Sequence, residues 1–399
     1  MRILFVVGQA ALGGIETYCL RICRELYRHG HTLDVWFVKP RGNKAIIEEF
    51  RKVAQVRFLS RILPVPFLPI APVIPSDCDL IFTTGRLSLI FGALAKRGAS
   101  RPKLVAGVFS QWEYAGVVND YKSQISHRIL DRIGWQNLVF CTEGCRTFHL
   151  DALGAEISES LISPLLIQLP ATAPRRPQRK AGTALRIVSV GNFTPFKTYH
   201  FTLPNVIAQL RDAGYAIEWT IFGDGLERSK IENHIIQAGV ADIVRLAGQI
   251  DYARFPDEVG AADLYIGAGT TLIEASALGV PSVVAIDDNP EPTTPGYFCN
   301  RPKNFTSDAI EGEPLGSFFD IIADFAMCSE KDMEDLQQRS VSRAQAYSIS
   351  LAEEEFQRII GQTKFVAFSL GMREKIRYVW GVLREAYSVA NGSGGYRVR

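Results

Sequence analysis

The chain has no Cys-x-x-Cys pair, and its seven cysteines are an odd number scattered along the length. Free thiols in a reducing cytosol fit that usage better than a disulfide framework. It also lacks an apolar run long enough to cross a bilayer. The longest, 62–74, is too short and carries Pro64, Pro66, Pro69 and Pro72, which forbid a regular helix there. Charge of one sign is missing too: a formal +2 is too little to hold nucleic acid in bulk. Gly8 and Gly13-Gly14 do not form Gly-x-Gly-x-x-Gly, which disfavours a dinucleotide oxidoreductase. No signal peptide is expected, because the apolar opening 1–7 runs straight into Gly8 and a polar loop. The expectation is a cytoplasmic protein.

A hydrophobic content of 47% with 22% charged residues describes a folded chain, and 399 residues are too many for one core. Buried runs at 3–7, 32–38, 80–82, 104–108 and 137–141 alternate with helical patterns, the first of them at about 15–28. Between 164 and 183 lie four prolines and the run Arg175-Arg-Pro-Gln-Arg-Lys180, which reads as a linker. The pattern then starts afresh with runs at 185–190, 217–222, 244–246, 263–266 and 282–286, and a helix at about 199–213. Such alternation implies parallel sheets with covered faces. The expected fold is α/β, two Rossmann-like domains facing a central cleft. The divisions are an amino-terminal domain over 1–170, a linker over 171–183, a second domain over 184–355, and terminal helices over 356–399.

The most informative segment is Gly267-Ala-Gly-Thr-Thr-Leu-Ile-Glu274-Ala-Ser-Ala-Leu-Gly279-Val-Pro281. A glycine-rich loop there leaves the N–H groups of Gly269, Thr270 and Thr271 at a helix N-terminus, where the dipole favours an anion. Glu274 falls about one turn in, within reach of hydroxyls on the anion's neighbour. Phosphate at the tip and ribose beside it make a nucleotide site; an ordinary α/β turn with a solvated glutamate fits the same residues. Gly191, Gly223 and Gly248 each end a strand in the same half, and Lys197 follows Gly191 by six residues. An ammonium there is placed to neutralise phosphate, although a surface lysine has the same spacing.

Together, Val190-Gly-Asn-Phe-Thr-Pro-Phe-Lys197, Phe222-Gly-Asp-Gly225, Leu246-Ala-Gly248 and Leu272-Ile-Glu-Ala-Ser-Ala-Leu-Gly-Val-Pro281 resemble the donor-binding half of GT-B glycosyltransferases, family 4. Gly13-Gly-Ile-Glu16 and His29-Gly-His31 are similar to that family's opening. The resemblance implies that Lys197 contacts a donor diphosphate and Glu274 its ribose. Gly248 would border the base, Gly269, Thr270 and Thr271 would hold phosphate, and Gly13 and Gly14 would close over the diphosphate. Gly191, Asn192 and Gly223 complete the donor set. Three departures stand out: Asn192 where the family has Arg, Ile266 where it has a second glutamate, and Val108-Phe-Ser-Gln-Trp-Glu113 where it often has His.

The implied activity is hexosyltransferase-like. A sugar moves from a nucleotide-sugar, UDP- or GDP-linked, to a glycan or lipid-linked acceptor, with retention and without a metal or other cofactor. The alternative, motivated by Asn192 and Ile266, is a non-catalytic nucleotide-sugar-binding or scaffold subunit of a glycan-assembly complex. Glu16, Gln111 and Trp112 are the acceptor-side candidates, with stacking on a sugar or plain packing both open for the tryptophan. Cys141, Cys145 and His149 are spaced as metal ligands on a helix but show no fourth partner, so no metal site is expected. Asp287-Asp288 reads as a solvated turn. In 364–388, Phe365, Phe368, Met372, Ile376, Val379, Leu383 and Tyr387 make one apolar helical stripe with a basic surround. It suits either packing on the amino-terminal domain, as the resemblance implies, or peripheral contact with an anionic membrane.

Overall fold

The computed structural model describes residues 1–10, 13–39, 42–59, 73–96, 102–115, 120–153, 157, 160–170, 182–302, 304–367 and 370–390. The apolar stretch at 62–72, the linker at 171–181 and Phe368 lie outside them. Contacts divide the chain into one unit of Met1–Leu166 with Ile349–Arg399, and a second of Ile167–Ser348.

The first unit runs β1 (Arg2–Val7), α1 (Gly14–Arg28), β2 (Thr32–Phe37), α2 (Lys44–Arg51), β3 (Gln55–Phe58), β4 (Leu80–Thr84), α3 (Arg86–Ala95), β5 (Lys103–Val108), α4 (Trp112–Ala115), α5 (Tyr121–Ile133), β6 (Leu138–Phe140), α6 (Glu143–Leu153) and β7 (Leu161–Ile162). Its seven strands are parallel in the order β3-β2-β1-β4-β5-β6-β7. Central strands such as β1 are apolar almost throughout because both sheet faces are covered. Leu4 and Val6 face a core shared with α3 and α5, while Ile3, Phe5 and Val7 face α1. The edge strand β3 alternates exposed and half-buried residues, so no buried run marks it in the sequence. Helix α1 stops where Gly30 takes φ 80° and the N–H groups of Gly30 and His31 return to the carbonyls of Tyr27 and Leu26.

The second unit runs β8 (Leu185–Val190), α7 (Tyr199–Asp212), β9 (Ile217–Phe222), α8 (Arg228–Gln237), β10 (Val244–Gly248), α9 (Phe255–Gly260), β11 (Leu264–Gly267), α10 (Thr270–Ala277), β12 (Ser282–Val284), the short antiparallel pair β13 (Thr293–Thr294) and β14 (Gly316–Ser317), α11 (Phe318–Ala326) and α12 (Glu330–Gln345). Its main sheet is parallel in the order β10-β9-β8-β11-β12. In both sheets the strand order reverses between the unit's first and fourth strands in chain order, which lie side by side, at β1/β4 and at β8/β11. Ligands of open α/β sheets bind at the carboxyl ends of strands at such reversals.

The chain then returns to the first unit through α13 (Ala352–Gln362) and α14 (Met372–Ala390). Phe356 of α13 sits 5.6 Å from Phe5 and 5.4 Å from Phe82, ring to ring. Helix α14 begins at Met372 rather than at Lys364, and the expected apolar stripe is not its packed face. Among its described side chains the buried ones are Glu374 and Tyr378. Tyr378 meets Phe91 and Tyr121 edge-on, each at 6.0 Å, and Glu374 lies between Arg132 at 3.2 Å and Arg128 at 3.8 Å. Gly381 lets the Tyr121 ring approach so closely that a Cβ would come within 2.2 Å of it. This aromatic and ionic seam, rather than the aliphatic stripe, chooses which side of α14 is covered.

Candidate functional site

At the β8/β11 reversal, Gly191 follows β8 and Lys197 closes the loop that leads into α7. A Cβ on Gly191 would lie 2.5 Å from Lys197 Nζ, so only glycine leaves the ammonium that position. Among the described residues Nζ has no hydrogen-bond or ion-pair partner. Burial lowers the Lys197 pKa, and the nearby Asp287 opposes that effect. Burial in turn pushes the Asp287 carboxyl up to about 7, with Lys197 drawing it back. Asp287 Oδ1 and the Tyr199 hydroxyl are both buried without a partner. Buried polar atoms are nearly always satisfied. Lys197 Nζ and the Tyr199 hydroxyl thus lie beside Gly191 without a partner, and one oxygen of Asp287, which is electrostatically coupled to Lys197, is bare as well.

Helix α10 faces the same strand ends. Gly269 precedes it with φ 71°, and no side chain caps the helix, which leaves the first-turn N–H groups of Thr270 and Thr271 without intrahelical acceptors. Gly269 itself differs from the sequence expectation: its N–H donates to Ser307 Oγ at 3.2 Å. Ser307 is held by a loop that the buried Arg301 organises, donating to the carbonyls of Thr306 and Asp308 and pairing with Glu313 at 2.6 Å. The Thr271 hydroxyl is structural as well, donating to Val190 O at 3.1 Å and accepting from the Tyr265 hydroxyl at 2.7 Å. It pins α10 to the end of β8. Glu274, 6% exposed, lies one turn in and accepts from the Tyr252 hydroxyl at 2.5 Å. Tyr252 is half-exposed and stacks on Phe255 at 5.9 Å. Sequence reasoning missed Tyr252; its one signal is that it follows Gly248 by four residues, on a loop the glycine already marked.

The remaining donor-side residues divide. Gly248 has φ 78° at a bulge in β10 and open space over its Cα. Gly223 serves packing between loops, since a Cβ there would meet Gly191 O at 2.0 Å. The absence of a side chain at Gly223 is thus explained by the neighbouring loop, which fills that space. Asn192 is exposed. Ile266 is fully buried in the core, so a packed side chain stands where the resemblance places a second carboxylate.

The β1/β4 reversal of the first unit holds a cavity of about 310 Å³, lined among others by Glu16, Arg86, Glu113 and Lys122. Gly13 precedes α1, which has no side-chain cap, and Gly14 is exposed. Glu113 accepts from the Arg86 N–H at 2.9 Å, and Gly85 is required both by its φ of 115° and because a Cβ would meet Glu113 Oε1 at 2.8 Å. The Tyr114 peptide that carries Glu113 is clamped by two histidines. Its N–H donates to His149 Nε2 at 3.2 Å and its carbonyl accepts from His127 Nε2 at 2.7 Å. His149 Nδ1 donates to Cys145 O at 2.8 Å, which commits both ring nitrogens and closes the metal reading of Cys141, Cys145 and His149. Among the described residues no three metal-ligating side chains converge. Burial raises the pKa of both Glu16 and Glu113. Neither Gln111 nor Trp112 lines the cavity; Trp112, 51% exposed, packs edge-on against Phe148 at 4.9 Å.

Two family models match in tandem: Glycosyltransferase Family 4 over residues 12–154, and Glycosyl transferases group 1 over 172–293. Together they span more than half of the chain. Among curated protein sequences none matches it. Solved structures share the fold at low identity. Anabaena Alr3699/HepE in complex with UDP and glucose superposes with TM-score 0.64 and 16% identity over 90% of this chain and 99% of that one. The lipopolysaccharide outer core galactosyltransferase WaaB gives TM-score 0.61 and 15% identity over 90% and 99%. A point mutant of S. aureus TarM in complex with fondaparinux, alpha-GlcNAc-glycerol and UDP gives 0.63 and 11% over 90% and 99%. The chain belongs to the GT-B glycosyltransferases as a divergent family 4-like member, and both parallel sheets are those of that fold.

Proposed function

We propose that the second unit binds a nucleotide-sugar and that the first unit receives the acceptor in the cavity at β1/β4. The observation that carries the reading is the uncommitted Lys197 ammonium over Gly191, at the same strand reversal as the uncapped N-terminus of α10. A diphosphate matches both: its oxygens accept from Lys197 and from the N–H groups of Thr270 and Thr271. Glu274, oriented by Tyr252, accepts from the ribose hydroxyls, and Gly248 borders the base. UDP is the first candidate base because the HepE and TarM structures hold it; GDP is the second.

Transfer is then governed by departure. The bond from the anomeric carbon to the donor phosphate breaks, and the leaving diphosphate gains negative charge. Lys197 and fixed N–H dipoles stabilise that charge without reorganising. Asn192 withholds one cationic contact that the resemblance expects, which removes about 2 kcal/mol of such stabilisation unless another group supplies it. An acceptor hydroxyl, from a glycan or a lipid-linked sugar, takes the glycosyl group with retention. Its proton passes to the departing phosphate oxygen. Because Lys197 offsets the charge, chelators are expected to leave turnover intact; restoration by Mg²⁺ or Mn²⁺ after complete loss in EDTA would refute this.

A melting screen with UDP-, GDP-, ADP- and CMP-sugars tests the reading. A ligand held at 100 times its Kd stabilises by about 2.7 kcal/mol, a rise of several degrees for a unit of this size. A flat response to every nucleotide-sugar would remove the proposal.

A further inference from the structure

Helix α14 turns its apolar side away from the fold. At roughly 100° per residue, Glu374, Tyr378 and Gly381 gather on the side that meets α3 and α5. Met372, Ile376, Val379, Trp380 and Leu383 fill an arc about 100° wide on nearly the opposite side. Met372 is 71% exposed and Trp380 69%, with Ile376 and Leu383 also exposed. Exposed cations border that arc: Arg373, Arg377 and Arg384 along one margin, with the half-buried Lys375 on the other. The one carboxylate among the described side chains of this helix, Glu374, is on the inner side with Arg128 and Arg132. The inner seam fixes the rotation of α14, so the outward direction of the arc follows from packing.

We propose that the outer face of α14 lies on an anionic lipid surface. An apolar arc bounded by cations of one sign is the form of an interfacial helix. The aliphatic residues enter the headgroup boundary, the tryptophan sits at that depth, and the arginines reach outward to lipid phosphate. Cations along both margins complement lipid phosphate, whereas a protein interface asks only for a polar rim. No helix among the described residues is long and apolar enough to cross a membrane, so the contact is peripheral. The inference is independent of the activity of the two units.

The test uses the full chain in co-sedimentation with phosphatidylcholine vesicles, with and without phosphatidylglycerol, at low and high salt. Binding is expected only with phosphatidylglycerol and is expected to weaken with salt. Arg373→Gln with Arg377→Gln should lower it about 25-fold, at about fivefold for each cation. Ile376→Ser with Trp380→Ser should lower it more than about tenfold. All four changes are on exposed side chains, so the circular dichroism and melting point should match wild type. No binding to anionic vesicles at low salt, or folded variants that bind like wild type, would overturn the proposal. So would a self-association, seen by sedimentation velocity, that the Ile376→Ser, Trp380→Ser protein loses while vesicles capture neither form.

Discussion

Glu274→Gln isolates the charge of the inferred ribose contact. The side chain is buried and accepts from the Tyr252 hydroxyl at 2.5 Å, and glutamine keeps its shape, so no cavity opens. What changes is the acceptor: one charged oxygen becomes an amide that donates. A hydrogen bond to a charged group contributes about 1.5–3 kcal/mol, so donor Kd should rise roughly 10- to 150-fold. Tyr252→Phe leaves the carboxylate but frees its orientation, and should weaken binding about fivefold. In the Gln background the same Phe change should matter less, because the two residues act as one contact. Isothermal titration with the nucleotide selected by melting, and with its 2′,3′-dideoxy analogue, reads all of this. The analogue should bind wild type and Glu274→Gln alike. A folded Glu274→Gln protein with unchanged donor affinity, or one that loses as much for the dideoxy ligand, would refute the ribose assignment.

Three further outcomes are expected. Asp287 carries a proton below about 7 and a negative charge above it. Its folded pKa is raised, so its contribution to stability is present in acid and lost as pH rises through about 7. Donor affinity should fall over the same range as the new charge offsets Lys197, and Asp287→Asn should flatten that titration. Gly223→Ala drives a Cβ to within 2.0 Å of Gly191 O and should cost about 3 kcal/mol, read as a lower denaturation midpoint; an unchanged midpoint would contradict the packing role. Phe356→Ala removes the ring that α13 places between Phe5 and Phe82 and should cost about 3–5 kcal/mol, whereas a loss below about 1 kcal/mol would show α13 to be loosely held.

The strands were legible because parallel sheets with covered faces are written as apolar runs. The reading of β8 and β9 coincides with the observed Leu185–Val190 and Ile217–Phe222. Strand β3 escaped because an edge strand alternates, and β7 because two residues make no pattern. Glycines were visible, but not their reasons. Gly191 and Gly223 look alike in the sequence, yet one makes room for an ammonium and the other for a neighbouring carbonyl. Contacts made across the fold were invisible: Tyr252 on Glu274, Ser307 under Gly269, and Glu113 rather than Trp112 in the cavity. The stripe in α14 was legible as apolar, but whether it packs inward or faces outward was left open. Its periodicity does not say which side Tyr121 and Phe91 will cover.

The central claim is that Lys197 and the α10 N-terminus hold a diphosphate. Titrating wild type and Lys197→Ala with the nucleoside diphosphate selected by melting, and with the matching monophosphate, tests it most directly. Wild type should prefer the diphosphate by at least about tenfold, about 1.4 kcal/mol, and the variant should lose most of that preference while its monophosphate affinity changes little. A folded Lys197→Ala protein that keeps the full preference would contradict the account.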